Sequence, residues 1–296
     1  MYEKYEKIEA LNWSTVKLMQ ESPALLKHFA DHPYERKDTD DFRLGRATHC
    51  AILEPDLFDE EFIVSPDFGN LNSKSGLINK IVFLEDLVPV DETDMKILVD
   101  SDKMIDLRAH VNWLESVTSH IEIISEKQRE AALRASEAVR AHGEARALLR
   151  GTRREHIVQW VDESTGIKCK GRIDAVGDSI IDLKKTRHST VRQILKSAAD
   201  YDYHGQVAWY HDGATAAGII HGHTLPHVIF VHISNTSTFV DVAVISMGQC
   251  PETFEDGRKL YKRLISEYSG CQAANLWPGM APRTIPWELP AYKVEE

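Results

Sequence analysis

Cysteine is scarce in this 296-residue sequence, and its four copies are scattered as Cys50, Cys169, Cys250 and Cys271. None stands in a C-x-x-C pair, so neither a zinc ribbon nor a disulfide framework is expected. Cys50 and Cys169 read as buried free thiols. No apolar run reaches about 18 residues, which excludes a membrane-spanning helix from the sequence reading. The opening MYEKYEKIEA is charged where a secretory leader is apolar, so the cytoplasm is the expected location. Internal repeats and low-complexity tracts are absent. Positive charge is also short: 35 Lys and Arg stand against 46 Asp and Glu, a net charge of −11. That balance argues against a polyanionic partner unless the cations are focused in one groove.

What is present suits a soluble globular fold: 43% of the residues are hydrophobic, in a chain long enough for one large domain or two small ones. Residues 14–30 are expected to be helical, with Ser14 as N-cap and a break or restart at Pro23; residues 40–53 form a second helix stopped by Pro55. The Ser-, Asn- and Gly-rich stretch 64–80 reads as a loop. Residues 91–150 lack proline and read as mostly helical, with Ile97, Leu98, Met104, Ile105 and Leu107 at helical spacing. From about 155 the pattern changes to strands: HIVQWVD, KCKGRIDAV, SIIDLKKT, HVIFVHIS and TFVDVAVIS. A helix over 202–217 separates the third from the fourth, a further helix covers 251–268, and Pro278, Pro282, Pro286 and Pro290 mark an extended tail. The expected class is α/β (α+β): a mainly helical part over 1–150 and a sheet core over 151–296, integrated into one domain.

The most informative stretch is KCKGRIDAVGDSIIDLKKT, residues 168–186. With a turn at Gly177 to Ser179, Val176 faces Ile180 and Asp174 faces Asp182, and period-2 geometry puts Lys184 on the face of both acids. Ile173, Ala175, Ile181 and Leu183 fall on the other face, apolar as a core face should be. Like charges opposite each other on a sheet repel, and a divalent cation offsets that repulsion. Lys168, Lys170 and Arg172 lead into the acids as a basic row suited to phosphate contacts. The plain alternative is a solvated hairpin of mixed charge.

Asp-x7-Asp-x-Lys on a hairpin resembles the core of the PD-(D/E)XK nucleases, with Ile173 where their proline is expected. Four further segments are similar to RecE-type exonucleases (exodeoxyribonuclease VIII-like) of the RecB/RecE branch. Leu44-Gly45-Arg46-Ala47-Thr48-His49 with Leu53-Glu54-Pro55 resembles their histidine motif. Trp13-Ser14-Thr15 with Ser22-Pro23-Ala24 resembles their N-terminal segment. Tyr203-His204-Gly205-Gln206 with Tyr210 resembles their Gln-x3-Tyr helix, and Trp277-Pro278-Gly279 with Leu289-Pro290 their tail. The absence of clustered cysteines argues against the iron–sulfur members of that branch.

The resemblance implies a central mixed sheet flanked by helices, behind a helical N-terminal half, and a set of site residues. Asp174, Asp182, the Leu183 carbonyl and His49 would hold Mg²⁺, with Mn²⁺ as a substitute. Lys184 would orient or deprotonate the attacking water and stabilise charge on the phosphate. Gly45 and His49 lie four apart on one helical face, and a small Gly45 suits close approach to the sheet. Gln206 and Tyr210 project together from their helix towards the active site and DNA, though an amphipathic core helix explains the same spacing. Glu155 is placed where the family often has an acid, or is an ordinary exposed Glu; His204 contacts the site or merely starts the helix.

The expected function is a Mg²⁺-dependent exodeoxyribonuclease that digests linear duplex DNA with free ends from 5′ to 3′ in phage-type recombination. A single-strand annealing protein and a homo-oligomeric ring are its implied partners. Rival readings are an endonuclease or an exonuclease of other polarity, a non-catalytic DNA-binding module, and, more remotely, a small-molecule metal enzyme.

Overall fold

Local chemistry sets where the helices begin. The computed structural model describes residues 5–32, 38–88, 103–234 and 236–281. Asn12, rather than Ser14, caps helix α1 (Trp13–Val16): its Oδ1 accepts the Thr15 amide and the Ser14 hydroxyl, both at 2.8 Å. A 3-10 turn (Lys17–Gln20) follows, and Ser22 caps α2 (Pro23–Asp31). Pro23 therefore starts a helix, at a position where its missing N–H has no partner to lose. Thr39 caps α3 (Asp40–Leu53), whose first turn carries Asp40 and Asp41 against the positive end of the helix dipole.

The short α4 (Phe58–Glu61) leads into β1 (Phe62–Ser65), and α5 (Lys74–Glu85) occupies part of the stretch expected to be loop. Its serine and glycine serve the helix start. Ser73 Oγ accepts the Gly76 amide at 3.1 Å, and a Cβ on Gly76 would stand 2.2 Å from the Asn70 carbonyl oxygen. Next come α6 (Met104–Val117), β2 (Glu122–Ser125), α7 (Glu126–Ala141) and α8 (Gly143–Leu149). Ser125 and Gln128 form a reciprocal capping box on α7. Ile97, Leu98, Pro282, Pro286, Leu289 and Pro290 lie outside the described residues.

The strands follow: β3 (Arg153–Val161), β4 (Lys168–Val176), β5 (Ile180–Thr186), then α9 (Val191–Asp200), α10 (Tyr203–Ala216), β6 (His227–Ile233), β7 (Val240–Ser246) and α11 (Pro251–Ala274). They form a five-stranded mixed sheet in the order β3-β4-β5-β6-β7, flanked by helices, so the protein is of the α/β class expected. Helix α9 was not legible beforehand; only Ile194 of its ten residues is buried.

The chain divides into two compact units. One takes in the described residues of Met1–Lys37, Gly143–Phe230 and Val242–Glu296; the other holds Asp38–His142 and Val231–Asp241. The N-terminal segment thus belongs with the sheet rather than with the helical part. In the sheet unit, Trp13, Val16, Ile173, Val207, Trp209, Phe254 and Leu264 share one buried core. In the other unit, β1 and β2 pair in parallel, and α3 and α7 pack around Ala47, Ala51, Phe58, Ile124 and Ala132. Leu77, Ile81, Leu107 and Leu114 of α5 and α6 form a separate small core there. Cys50 and Cys169 are buried free thiols. Among the described residues no helix is long and apolar enough to cross a membrane.

Candidate active site

The site begins where two strands part. β4 and β5 are antiparallel and pair at Ala175↔Ile181 and Val176↔Ile180, across a turn in which the Gly177 amide donates to the Ser179 carbonyl at 2.9 Å. That register carries Asp174 opposite Asp182, but the ladder ends one step before them. Past it, Asp174 Oδ2 accepts the Leu183 amide at 2.7 Å, so a side chain takes the place of a backbone partner. In an extended strand the N–H and C=O of one residue face the same neighbour, which puts the Leu183 carbonyl on the β4 side as well. At the far end of β4, Leu11 fills the vacated edge: its amide donates to the Lys168 carbonyl at 2.9 Å and its carbonyl accepts the Lys170 amide at 2.8 Å.

Ile173, Ala175, Ile181 and Leu183 are all buried, which anchors the hairpin's apolar face. Asp182 is buried too, only 1% exposed, and the Lys184 ammonium lies 2.5 Å from its Oδ2. Burial works against the charge on Lys184, but the carboxylates of Asp182 and Asp174 outweigh it and raise its pKa, so it is an ammonium at neutral pH. Burial raises the pKa of Asp174, against the pull of Lys184, the Leu183 amide and Arg172.

Glu155 joins the acids from β3. The pairs Arg154↔Ala175 and His156↔Ile173 on either side of it place it opposite Asp174 with no residue inserted. Its φ of 45° takes it out of the ladder, a left-handed conformation that costs a non-glycine residue about 1–3 kcal/mol. A Glu155 carboxylate oxygen comes within 4.8 Å of one on Asp174. Glu155 is partly buried and is held by Arg172 Nε at 3.1 Å.

Helix α10 supplies the polar lid of the site. Gln206 Nε2 donates to Tyr210 Oη at 3.2 Å. Burial, with the charge of Asp182, raises the Tyr210 pKa and keeps its hydroxyl protonated. Gly171 of β4 makes the room: a Cβ there would stand 2.9 Å from Tyr210 Cδ1. Beside it, Trp209 Nε1 donates to the Lys170 carbonyl at 3.1 Å and fastens the helix to the strand. Tyr203, which sequence reasoning left out of the site, puts its ring centroid 5.1 Å from the Lys184 ammonium. Its sequence signal was its place one turn before Gln206. His204 stands at the start of α10, where its carbonyl abuts Gly257 of α11.

The expected basic row is not a row of exposed cations. Lys170 is only 4% exposed, and its ammonium donates to the Tyr5 carbonyl at 3.0 Å and the Ile8 carbonyl at 2.9 Å, over the Tyr5 ring. Burial lowers its pKa. Lys170 therefore ties down the N-terminal segment, and Arg172 is engaged with Glu155; Lys168 alone of the three is exposed. Gly45 has no packing role among the described residues, since a Cβ there would meet nothing within 4 Å. His49 lies on α3, in the last turn but one of that helix, within the other unit.

The donor set suits a hard divalent cation: carboxylate oxygens of Glu155 on β3 and Asp174 on β4 lie within 4.8 Å of each other, and the Leu183 carbonyl is on the β4 side of its strand. A family model described as "PDDEXK-like domain of unknown function (DUF3799)" matches residues 12–284. No curated protein matches the chain. Among solved structures, the chain is similar to a "Putative exonuclease" from Eubacterium rectale, at 10% identity and a TM-score of 0.49, over 95% of this chain and 91% of that one.

Proposed function

This chain belongs to the PDDEXK-like domain family, and from that premise we propose that it is a divalent-metal-dependent exodeoxyribonuclease acting on linear duplex DNA. The observation that carries the reading is the fork between β4 and β5, where Asp174, Asp182 and Lys184 converge with Glu155 facing them from β3. Asp174, Asp182, Glu155 and the Leu183 carbonyl would hold the metal, Mg²⁺ or Mn²⁺, which supplies a Lewis acid for the phosphoryl oxygen and lowers the pKa of water. His49 is proposed as a further ligand through its sequence motif.

The protein's own groups divide the remaining work. Lys184, as an ammonium, stabilises negative charge on the phosphate and orients water rather than taking its proton. Tyr210 and Gln206 are neutral donors, set to position phosphate oxygens. Asp182 holds the Lys184 ammonium in place. The RecE-type assignment, 5′ to 3′ polarity, a ring-shaped homo-oligomer and a single-strand annealing partner belong to this proposal and rest on the sequence resemblance. So does the contribution of Lys168 to phosphate binding.

The test is digestion of linear duplex labelled at the 5′ or the 3′ end, beside a circular duplex, with Mg²⁺ and with chelator. Mg²⁺-dependent loss of the 5′ label with the circle intact is expected. Cleavage of the circle turns the reading to an endonuclease. Metal binding is read separately: Mn²⁺ should raise the melting temperature of the wild type and not of Asp174→Asn. DNA binding with no cleavage under any metal would leave a non-catalytic module.

A further inference from the structure

With Lys170 buried and Arg172 engaged, the substrate strand needs another surface, and the segment after β5 offers one. From Lys184 to Lys196 the sequence carries five Lys and Arg and no Asp or Glu, in a chain whose net charge is −11. Arg187 and Arg192 are exposed and make no ion pair among the described residues. Arg187 follows Lys184 by three residues, about 10 Å of extended chain, the rise of about three nucleotides along one strand.

Just beyond that segment, an aromatic step leads out of the site. The Lys184 ammonium lies 5.1 Å from the centre of the Tyr203 ring. Tyr203 in turn stacks on Tyr201, with centroids 5.8 Å apart and planes at 23°. Tyr201 is 56% exposed. It does not hang loose. The chain turns sharply after it at Asp202, with φ of 54°, and that corner is pinned from the 3-10 turn. Lys17 Nζ donates to the Tyr201 carbonyl at 2.8 Å, and Gln20 Nε2 donates to Asp202 Oδ2 at 2.9 Å. Lys17 also brings an ammonium to 5.9 Å from the Tyr201 ring centroid. An exposed ring fixed at a corner of the chain, following a stretch that carries cations and no acids, is the combination that binds single strands, by base stacking and phosphate neutralisation.

We propose that Tyr201 is a stacking platform for an unpaired base of the substrate strand, with Arg187 and Arg192 holding the neighbouring phosphates. The inference rests on the nuclease reading and adds that the strand is engaged in a single-stranded, frayed form next to the site.

The test uses the full chain and a short phosphorothioate single strand, which resists hydrolysis, in Mg²⁺ buffer; a matched strand with abasic positions is the control. Tyr201→Ala should weaken binding of the base-bearing strand about 5- to 140-fold and leave the abasic strand unchanged. Tyr201→Leu, which keeps an apolar side chain without a flat ring, should behave like alanine, and Tyr201→Phe like wild type. Arg187→Gln with Arg192→Gln should lower the log–log salt slope of binding by about 1.4. Equal affinity of wild type and Tyr201→Ala, or equal losses on both strands, overturns the platform. If wild type digests duplex DNA while Tyr201→Ala binds normally, only this inference fails. If wild type neither digests nor binds DNA, the nuclease reading and this inference fail together.

Discussion

The ring of Tyr210 lies where a side chain on Gly171 would stand: a Cβ there would come 2.9 Å from Tyr210 Cδ1 and 3.2 Å from Val158 Cγ1. Gly171→Ala should therefore push Tyr210 out of place and cost about 1–3 kcal/mol of stability by overpacking. The loss of cleavage should exceed the loss of stability, because Tyr210 reports directly on the site. Melting curves and digestion rates at a temperature where both proteins are folded compare the two effects.

Asp182 and Lys184 hold each other in a buried pair, so single and double substitutions should not add. Asp182→Ala leaves the Lys184 ammonium with Asp174 as its remaining countercharge and should cost up to about 3–5 kcal/mol. Adding Lys184→Met should return part of that loss, while cleavage stays at background in all three variants. Denaturant melts of the four proteins give the cycle directly. Relief of repulsion between Asp174 and Asp182 does not govern here, because Lys184 already lies 2.5 Å from Asp182.

Lys170→Gln should act on folding rather than on DNA. Its ammonium satisfies the Tyr5 and Ile8 carbonyls, and hydrogen bonds to charged groups are worth about 1.5–3 kcal/mol. The salt slope of DNA binding should not change, whereas Lys168→Gln should lower it. A reduced slope in Lys170→Gln would restore the sequence-based role.

Asp212 makes a prediction about acid. Burial pushes its pKa up, but hydrogen bonds from His211, Arg258 and Tyr261 and the Arg258 charge outweigh it and hold the carboxyl well below the usual range. A depressed folded pKa stabilises the protein above the unfolded value near about 3.9 and loses that contribution as pH falls below it. Asp212→Asn should thus be clearly less stable than wild type at neutral pH. The gap should narrow steadily through acid pH. Urea melts across pH follow it.

The hairpin was legible because strand parity is a strict rule: one register places Asp174, Asp182 and Lys184 together, and Ala175↔Ile181 is that register. Parity says nothing of which cations are used up. Lys170 shares a face with Asp174 in sequence, yet its partners are carbonyls more than 160 residues away, beyond the reach of any local pattern. Glu155 was visible as an acid at a strand start, but its φ of 45° depends on neighbours that the sequence does not reveal. Helix α5 was hidden because Ser73 and Gly76, loop formers by composition, are here a cap and a close contact. Helix α9 was missed because it buries only Ile194.

The Lys170 tie also imposes an order of events during synthesis. Tyr5 and Ile8 meet Lys170 across sequence separations of 165 and 162 residues. At about 5–20 residues per second, they leave the ribosome some 8–30 s before their partner exists. The far end of the fork between β4 and β5 is thus closed by the oldest part of the described chain, which must wait for β4, the first of the fork's two strands to be made.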